Sequence, residues 1–286
     1  MITPIYKSVA GEKLVMEHYD RVLARWPVRF EPLYVDTRHG RTFAIASGDV
    51  SAPALVLLHG SSSNAVMWIG DVAEYSRYCR VYAVDIPGEP GRSAPNRPSW
   101  NGPDFGEWME DVLNALGIAR ASLVGISQGG WTALKFATYR PDRVEKLVLL
   151  APGGVVPARM SFILRAIPLA MMGRRGAEAI NRITFGNQPI DREAVMFMDE
   201  IMTHFKPRIG AQAMFTDEEL RRLTMLVLLI VGERDALYPS QKTVARLQNL
   251  LPQLTVDLRP DAGHVLVNLA RQITPFLGVQ AVAGVL

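Results

Sequence analysis

From residue 54 onward the chain alternates two kinds of patterning: short, unbroken apolar runs, and longer stretches that are apolar at every third or fourth position. The runs are ALVLLHG (54–60), RVYAVDIPG (80–88), ASLVGIS (121–127), KLVLLAPGG (146–154) and LVLLIVGERD (226–235). Each is rich in valine, isoleucine or leucine and does not alternate with polar residues, which predicts strands covered on both faces. Between them NAVMWIGDVAEYSRY (64–78), FGEWMEDVLNALGI (105–118) and GGWTALKFATY (129–139) carry helical spacing. Strand and helix alternating in this way predict an α/β fold, with a mostly parallel central sheet flanked by crossover helices.

Upstream, PLYVDTRHG and RTFAIASGD read as a hairpin turning at His39-Gly40. Before the hairpin, residues 1–27 form an amphipathic helical extension stopped by Pro27. The alternation breaks between about 155 and 222, where the period is helical and methionine and phenylalanine are frequent, and it resumes with LVLLIVGERD, KTVARLQNLL, TVDLRP and VLVNLARQITPFL. The expected organisation is therefore a helical extension at 1–27, an α/β core at 28–154 and 223–286, and a helical cap at 155–222. An inserted helical segment has little core of its own to fill, so it is expected to cover the sheet's carboxyl edge. Its methionines, Met160, Met171 and Met198 among them, would line its underside together with Met67 and Trp68 from the core.

Composition narrows the classes of function. In 286 residues, 49% are hydrophobic and 21% charged, as in an ordinary globular protein. The formal net charge is +3, but the basic residues are scattered without a run or interleaved aromatics, so no nucleic-acid partner is expected. The one cysteine, Cys79, permits neither an intrachain disulfide nor a cysteine metal cluster. The first 27 residues lack the basic start and uninterrupted apolar core of a signal peptide, and SFILRAIPLAMM (161–172) is too short to span a bilayer. A cytoplasmic protein, monomeric or homodimeric, with no membrane partner is the expectation.

Three polar features fall at the carboxyl ends of predicted strands, where open α/β sheets place their ligands: Ser127 within GISQGG, Asp235 within VGERDALYP and His264 within RPDAGH. G-x-S-x-G between a strand and a helix, His59-Gly60 after the third strand, an aspartate after a late strand and a final AGH resemble the α/β-hydrolase superfamily over residues 30–280. DIPGEPGRSAP (85–95) is similar to the family's D-x-P-G-x-G-x-S loop, lengthened between Pro87 and the Gly91-Arg92-Ser93 end.

The resemblance implies a nucleophile elbow at Ser127, with His264 as base and Asp235 as its acid partner. Glu233 is the runner-up acid and Asp261 a weaker one. Glycines at 125 and 129 would relieve collisions that side chains would make around a sharp strand-to-helix turn. A hydroxyl needs a base to become a nucleophile at neutral pH, and imidazole is the side chain that ordinarily titrates there. The oxyanion hole implied by the family combines the backbone N–H of Gln128 with that of Ser61 in the HGSSSN loop, while His59 shapes that loop. His18, His39 and His204 have no partner motif and read as surface or structural.

A serine nucleophile implies attack on a carbonyl, with an acyl-enzyme as intermediate. Relatives that open epoxides or displace halides use aspartate here and carry cap tyrosine or tryptophan, and residues 155–222 contain neither. The expected function is a carboxylesterase-like serine hydrolase acting on a small, mainly apolar substrate, without metal or organic cofactor. The alternatives are a carbon–carbon bond hydrolase, a lactonase or a perhydrolase-like enzyme on the same triad, or a binding protein that has kept the fold. Arginines at 159, 165, 174, 175 and 182 are expected to be solvated rather than to recruit an anionic substrate.

Overall fold

The computed structural model describes residues 4–186, 191–208, 210 and 212–280. Eight strands form one sheet: β1 (Phe30–Thr37), β2 (Gly40–Ser47), β3 (Ala54–Leu58), β4 (Arg80–Val84), β5 (Ala121–Ile126), β6 (Val144–Leu150), β7 (Leu226–Gly232) and β8 (Leu254–Arg259). Their spatial order is β1-β2-β4-β3-β5-β6-β7-β8, antiparallel across β1, β2 and β4 and parallel from β4 to β8. The α/β class and the mostly parallel sheet read from the sequence are therefore the observed ones. From β3 the chain goes to one side to make β4 and to the other to make β5. The loops after β3 and β5 part there, leaving a crevice at the carboxyl edge.

The continuous apolar runs are explained by cover on both faces. Leu55 and Leu57 of β3 point into a core beneath α1 (Val9–Leu23) and α10 (Ala270–Leu277). Val56 and Leu58 point the other way, into a core beneath α3 (Asp104–Ala115), α4 (Gln128–Tyr139) and α9 (Ser240–Leu250). Burying each such side chain contributes about 1.5–3 kcal/mol.

Two predicted helices are shorter than their periodicity suggests. Residues 64–78 form a 3-10 turn over Ala65–Gly70 and one helical turn, α2 (Val72–Tyr75), instead of a single helix. The break lets the C-terminal segment approach: a Cβ on Gly70 would lie 2.0 Å from Asn268 Oδ1, and the Asp71 carboxylate accepts the backbone N–H groups of Asn268 and Ala270 at 3.1 and 2.8 Å. The same contact holds residues 265–269 out of a helix, so α10 starts only at Ala270.

Between β6 and β7 lie α5 (Met160–Ala170), α6 (Gly173–Phe185), α7 (Arg192–His204) and α8 (Asp217–Arg221). Of the three insertion methionines expected beneath the cap, Met198 lines a cavity there and Met160 and Met171 do not. Met160 is 64% exposed and Met171 85% exposed. With Leu164 and Ile167 they recur every three or four residues, which puts them on one face of α5, while Phe162 lies about 200° around the helix from Met160. That opposite face is the one turned toward the interior, because Phe162 lines a cavity beneath the insertion. Trp68 also departs from expectation. It is 1% exposed and belongs to the core, while its neighbour Met67 lines the cavity, since adjacent residues on a helical turn do not share a face.

The N-terminal helix packs against both parts of the molecule. Tyr19 donates its hydroxyl to Asp85 at 3.2 Å and Trp26 its indole N–H to Ser47 at 3.0 Å, both in the core. Toward the insertion, buried His18 stacks on Phe197 and bonds through Nδ1 to Glu200 at 2.6 Å. His18 is thus the structural histidine its lack of a motif suggested.

Candidate active site

At the end of β5 the chain reverses into α4 within one residue. Ser127 takes φ 52° and ψ −111°, a conformation L side chains rarely adopt. The glycines that permit the reversal meet different obstacles. A Cβ on Gly125 would lie 2.3 Å from the carbonyl oxygen of Gly129, across the turn as expected. A Cβ on Gly129 would lie 2.1 Å from the carbonyl oxygen of Leu58, so this glycine clears the neighbouring strand β3 rather than its own turn.

The hydroxyl so presented meets a hydrogen-bonded chain. Ser127 Oγ lies 2.9 Å from His264 Nε2, and His264 Nδ1 lies 2.8 Å from Asp235 Oδ2. The other oxygen of Asp235 accepts the backbone N–H groups of Leu237 and Tyr238 at 2.7 and 2.9 Å, which fixes the carboxylate and leaves Oδ2 to the imidazole. His264 is held from above as well, its backbone N–H donating to the Thr184 carbonyl of α6 at 3.0 Å. Glu233 is exposed, and Asp261 is turned outward to pair with Arg234 at 2.7 Å, so neither competes for the imidazole. Burial, together with the Asp235 charge, pushes the nearby Tyr238 phenol up to about 12, so it stays neutral.

His59 is not a second base. Its Nδ1–H donates to the Gly60 carbonyl at 2.8 Å and its Nε2 accepts the Ile86 N–H at 2.9 Å. Burial drives its pKa down to about 4, so the ring is neutral and both nitrogens are engaged in shaping the loop.

Ser127 and His264 open into a cavity of about 580 Å³. Ser61 and Met67 from the loop after β3 line it, with Phe162, Ile180, Phe185, Phe197, Met198, Ile201 and Met202 from the insertion. The sequence pattern points to this Met/Phe-rich segment but does not single out the phenylalanines or Ile201. Of the five arginines 159, 165, 174, 175 and 182, none lines the cavity. Arg165, Arg174, Arg175 and Arg182 are exposed, and Arg159 donates through Nε to the Asp235 carbonyl at 3.2 Å. The cavity's arginine is Arg25, two residues beyond the end of α1, and it is paired with Glu193.

This architecture has known counterparts. The chain matches the alpha/beta hydrolase family over residues 55–274. It belongs to that family. The carboxylesterase YbfK of Bacillus subtilis is 36% identical over 258 residues, covering 87% of this chain and 86% of the relative. The crystal structure of that carboxylesterase superimposes with a TM-score of 0.84 over 94% of this chain and 99% of the other, at 30% identity across the superposition. The naproxen esterase of the same organism gives 0.85 at 29% identity, covering 95% and 99%. The hydrolase is thus an enzyme of the carboxylesterase-like branch of its family. Among its described residues no helix is long and apolar enough to cross a membrane, and no group of three or more histidine, cysteine, aspartate or glutamate side chains is arranged to hold a metal ion.

Proposed function

We propose that the hydrolase is a serine carboxylesterase acting on esters of small, apolar carboxylic acids, with Ser127 as nucleophile, His264 as general base and acid, and Asp235 as the group that orients and charges the imidazole. The observation that carries this reading is the unbroken hydrogen-bonded chain from Ser127 Oγ through His264 to Asp235 Oδ2, opening on an apolar cavity. The helical insertion at 155–222 serves as the cap that encloses the acyl group.

In the reaction, Nε2 of His264 takes the Ser127 proton as Oγ attacks the ester carbonyl. The developing negative charge falls to the backbone N–H groups of Gln128 and Ser61, aided by the positive end of α4. The imidazolium, stabilised by Asp235, then gives its proton to the leaving alcohol, and water repeats the cycle on the acyl-enzyme. A 580 Å³ cavity walled by Phe162, Phe185, Phe197 and Ile201 suits an aliphatic or aryl-substituted acid. An anionic substrate is disfavoured because Arg25, the cavity's arginine, is already neutralised by Glu193. The likeness to a naproxen esterase supports the aryl-substituted class.

The test is labelling with a fluorophosphonate, followed by mass spectrometry of the modified peptide and turnover of p-nitrophenyl esters from acetate to octanoate. The expected outcome is label on Ser127, lost in Ser127→Ala and in His264→Ala, with turnover reduced by about 10⁴-fold or more in both variants. Ester turnover that survives Ser127→Ala would overturn the assignment.

A further inference from the structure

Glu89 has no part in the triad, lies outside the cavity lining, and is only 2% exposed. Its two carboxylate oxygens point in different directions. Oε2 accepts the backbone N–H of Ser62 at 2.7 Å, and Oε1 accepts from the side-chain amide of Gln128 at 3.0 Å. Ser62 and Gln128 belong to the two segments that supply the oxyanion-hole donors: the loop after β3 and the first turn of α4. The loop needs such a hold, because Ser62 sits at φ 53°, in the left-handed region that a non-glycine residue leaves unless held there.

The segment carrying Glu89 is itself tied down. Ile86 N–H donates to His59, Asn64 donates its side-chain amide to the Pro90 carbonyl at 2.9 Å, and Asp85 accepts the N–H groups of Ala65 and Arg92 at 2.7 Å each. The bonds to His59, Asn64 and Ala65 join the 85–93 segment to the loop after β3, and the Arg92 bond closes the segment on itself. Glu89 reaches on from there to α4. One buried side chain thus connects the loop after β3 to the first turn of α4.

We infer that Glu89 is a positioning residue for ester hydrolysis: by bridging Ser62 and Gln128 it holds the Ser61 and Gln128 backbone N–H groups at the separation the transition-state oxyanion requires. The inference rests on the serine-esterase reading above. Burial pushes the Glu89 carboxyl up to about 7, with the charges of Arg97 and Arg208 and the two hydrogen bonds acting in the opposite sense. Reach, rather than charge, is what the bridge needs. A neutral acid or amide still accepts from Ser62 N–H through one oxygen, and donates through the other atom to Gln128 once that amide turns over.

Three variants separate reach from charge: Glu89→Ala removes the bridge, Glu89→Asp shortens it by one methylene, and Glu89→Gln keeps its length without ionising. With p-nitrophenyl butyrate at pH 8, kcat is expected to fall about 100-fold in Glu89→Ala and Glu89→Asp with KM within about two-fold, and to stay within about five-fold of the parent in Glu89→Gln. Affinity for an alkyl trifluoromethyl ketone, whose Ser127 adduct places an oxyanion in the hole, should weaken in step with kcat/KM across the series. Thermal melts identify variants that retain the fold. Should Glu89→Ala fail to fold, Glu89→Asp decides. Parent-like kcat in a folded Glu89→Asp, or loss of kcat with unchanged ketone affinity, would overturn the inference while leaving the esterase reading intact. A parent protein that neither takes up fluorophosphonate nor cleaves esters would instead remove the reading beneath it.

Discussion

The carboxyl edge of the sheet and the helical insertion above it solve opposite problems. At the edge each functional group is held from at least two directions: Asp235 by two backbone N–H groups and the imidazole, His264 by Asp235 and the Thr184 carbonyl, the loop after β3 by Asp85, Glu89 and Ile86. In the insertion, α5 presents Met160, Leu164, Ile167 and Met171 to solvent and offers Phe162 to the cavity. The edge is over-determined because a reacting geometry tolerates little displacement, whereas the insertion has only to fill space. Substitutions at the edge should therefore act on kcat or on folding, and those in the insertion on substrate selection.

The sharpest way to break that contrast is a single added methyl group in each region. Gly129→Ala places a Cβ 2.1 Å from the Leu58 carbonyl oxygen, and the obstacle is backbone of a central strand. The elbow has to move away from β3, and the expected destabilisation is at least about 3 kcal/mol, read as a shift in denaturant midpoint. Gly173→Ala, at the start of α6, adds a methyl to a residue at φ 59° with nothing within 4 Å. Only the left-handed backbone is penalised there, by about 1 kcal/mol. Equal losses in the two variants would mean that the elbow is no more tightly built than the insertion.

The edge was the more legible region in the sequence for the same physical reason. Strands buried on both faces have to be apolar throughout, so β3 to β7 announce themselves, and the glycines of GISQGG mark a crowded elbow, although the obstacle at Gly129 is strand β3 rather than the turn. Ser127 and Asp235 lie just past the ends of such runs and His264 follows the edge strand β8, and the structure brings them into one hydrogen-bonded chain. Glu89 was not legible. Its partners are 27 and 39 residues away, and a glutamate between Gly88 and Pro90 looks like a solvated turn residue until the β3 loop is seen closing over it. Met160, Met171 and Trp68 failed as pocket residues for a different reason: composition locates an apolar segment, and only packing decides which of its faces turns inward. The helix expected over 64–78 was interrupted by a contact with Asn268, about 200 residues away, which local periodicity does not encode.

A second contrast concerns charge. Glu89 is an ionisable group that the fold itself disfavours in its charged form, with its carboxyl raised from an ordinary 4.5 to about 7. Below about pH 4.5 the group is protonated whether the chain is folded or not, and the burial has no electrostatic penalty. Between about pH 4.5 and 7 the unfolded chain releases this proton while the folded protein holds it against desolvation, so stability falls across that range and levels off above 7, by roughly 3 kcal/mol for 2.5 pH units of displacement. Glu89→Gln escapes that penalty. Its stability relative to the parent should therefore rise between pH 5 and pH 9, by roughly 2–3 kcal/mol in chemical denaturation. A flat difference across that range would mean that the carboxylate is better solvated than its burial indicates.

The smallest expected effects lie within the insertion, and they test whether its two faces do different work. Met198 lines the cavity from α7, while Leu164 on α5 is 65% exposed. Truncating Met198 to alanine enlarges the space available to the acyl chain without touching the Ser127–His264 geometry. Its kcat/KM should fall for butyrate and rise for octanoate, a crossover of about 3–10-fold that corresponds to one or two methylenes of apolar contact. Leu164→Ala should change neither the profile nor the stability by more than about 0.5 kcal/mol, because the side chain it removes already faces water. If the chain-length profile moved with Leu164 and not with Met198, α5 would have to turn its outer face inward when substrate binds, and the division of labour between edge and insertion would need to include a moving helix.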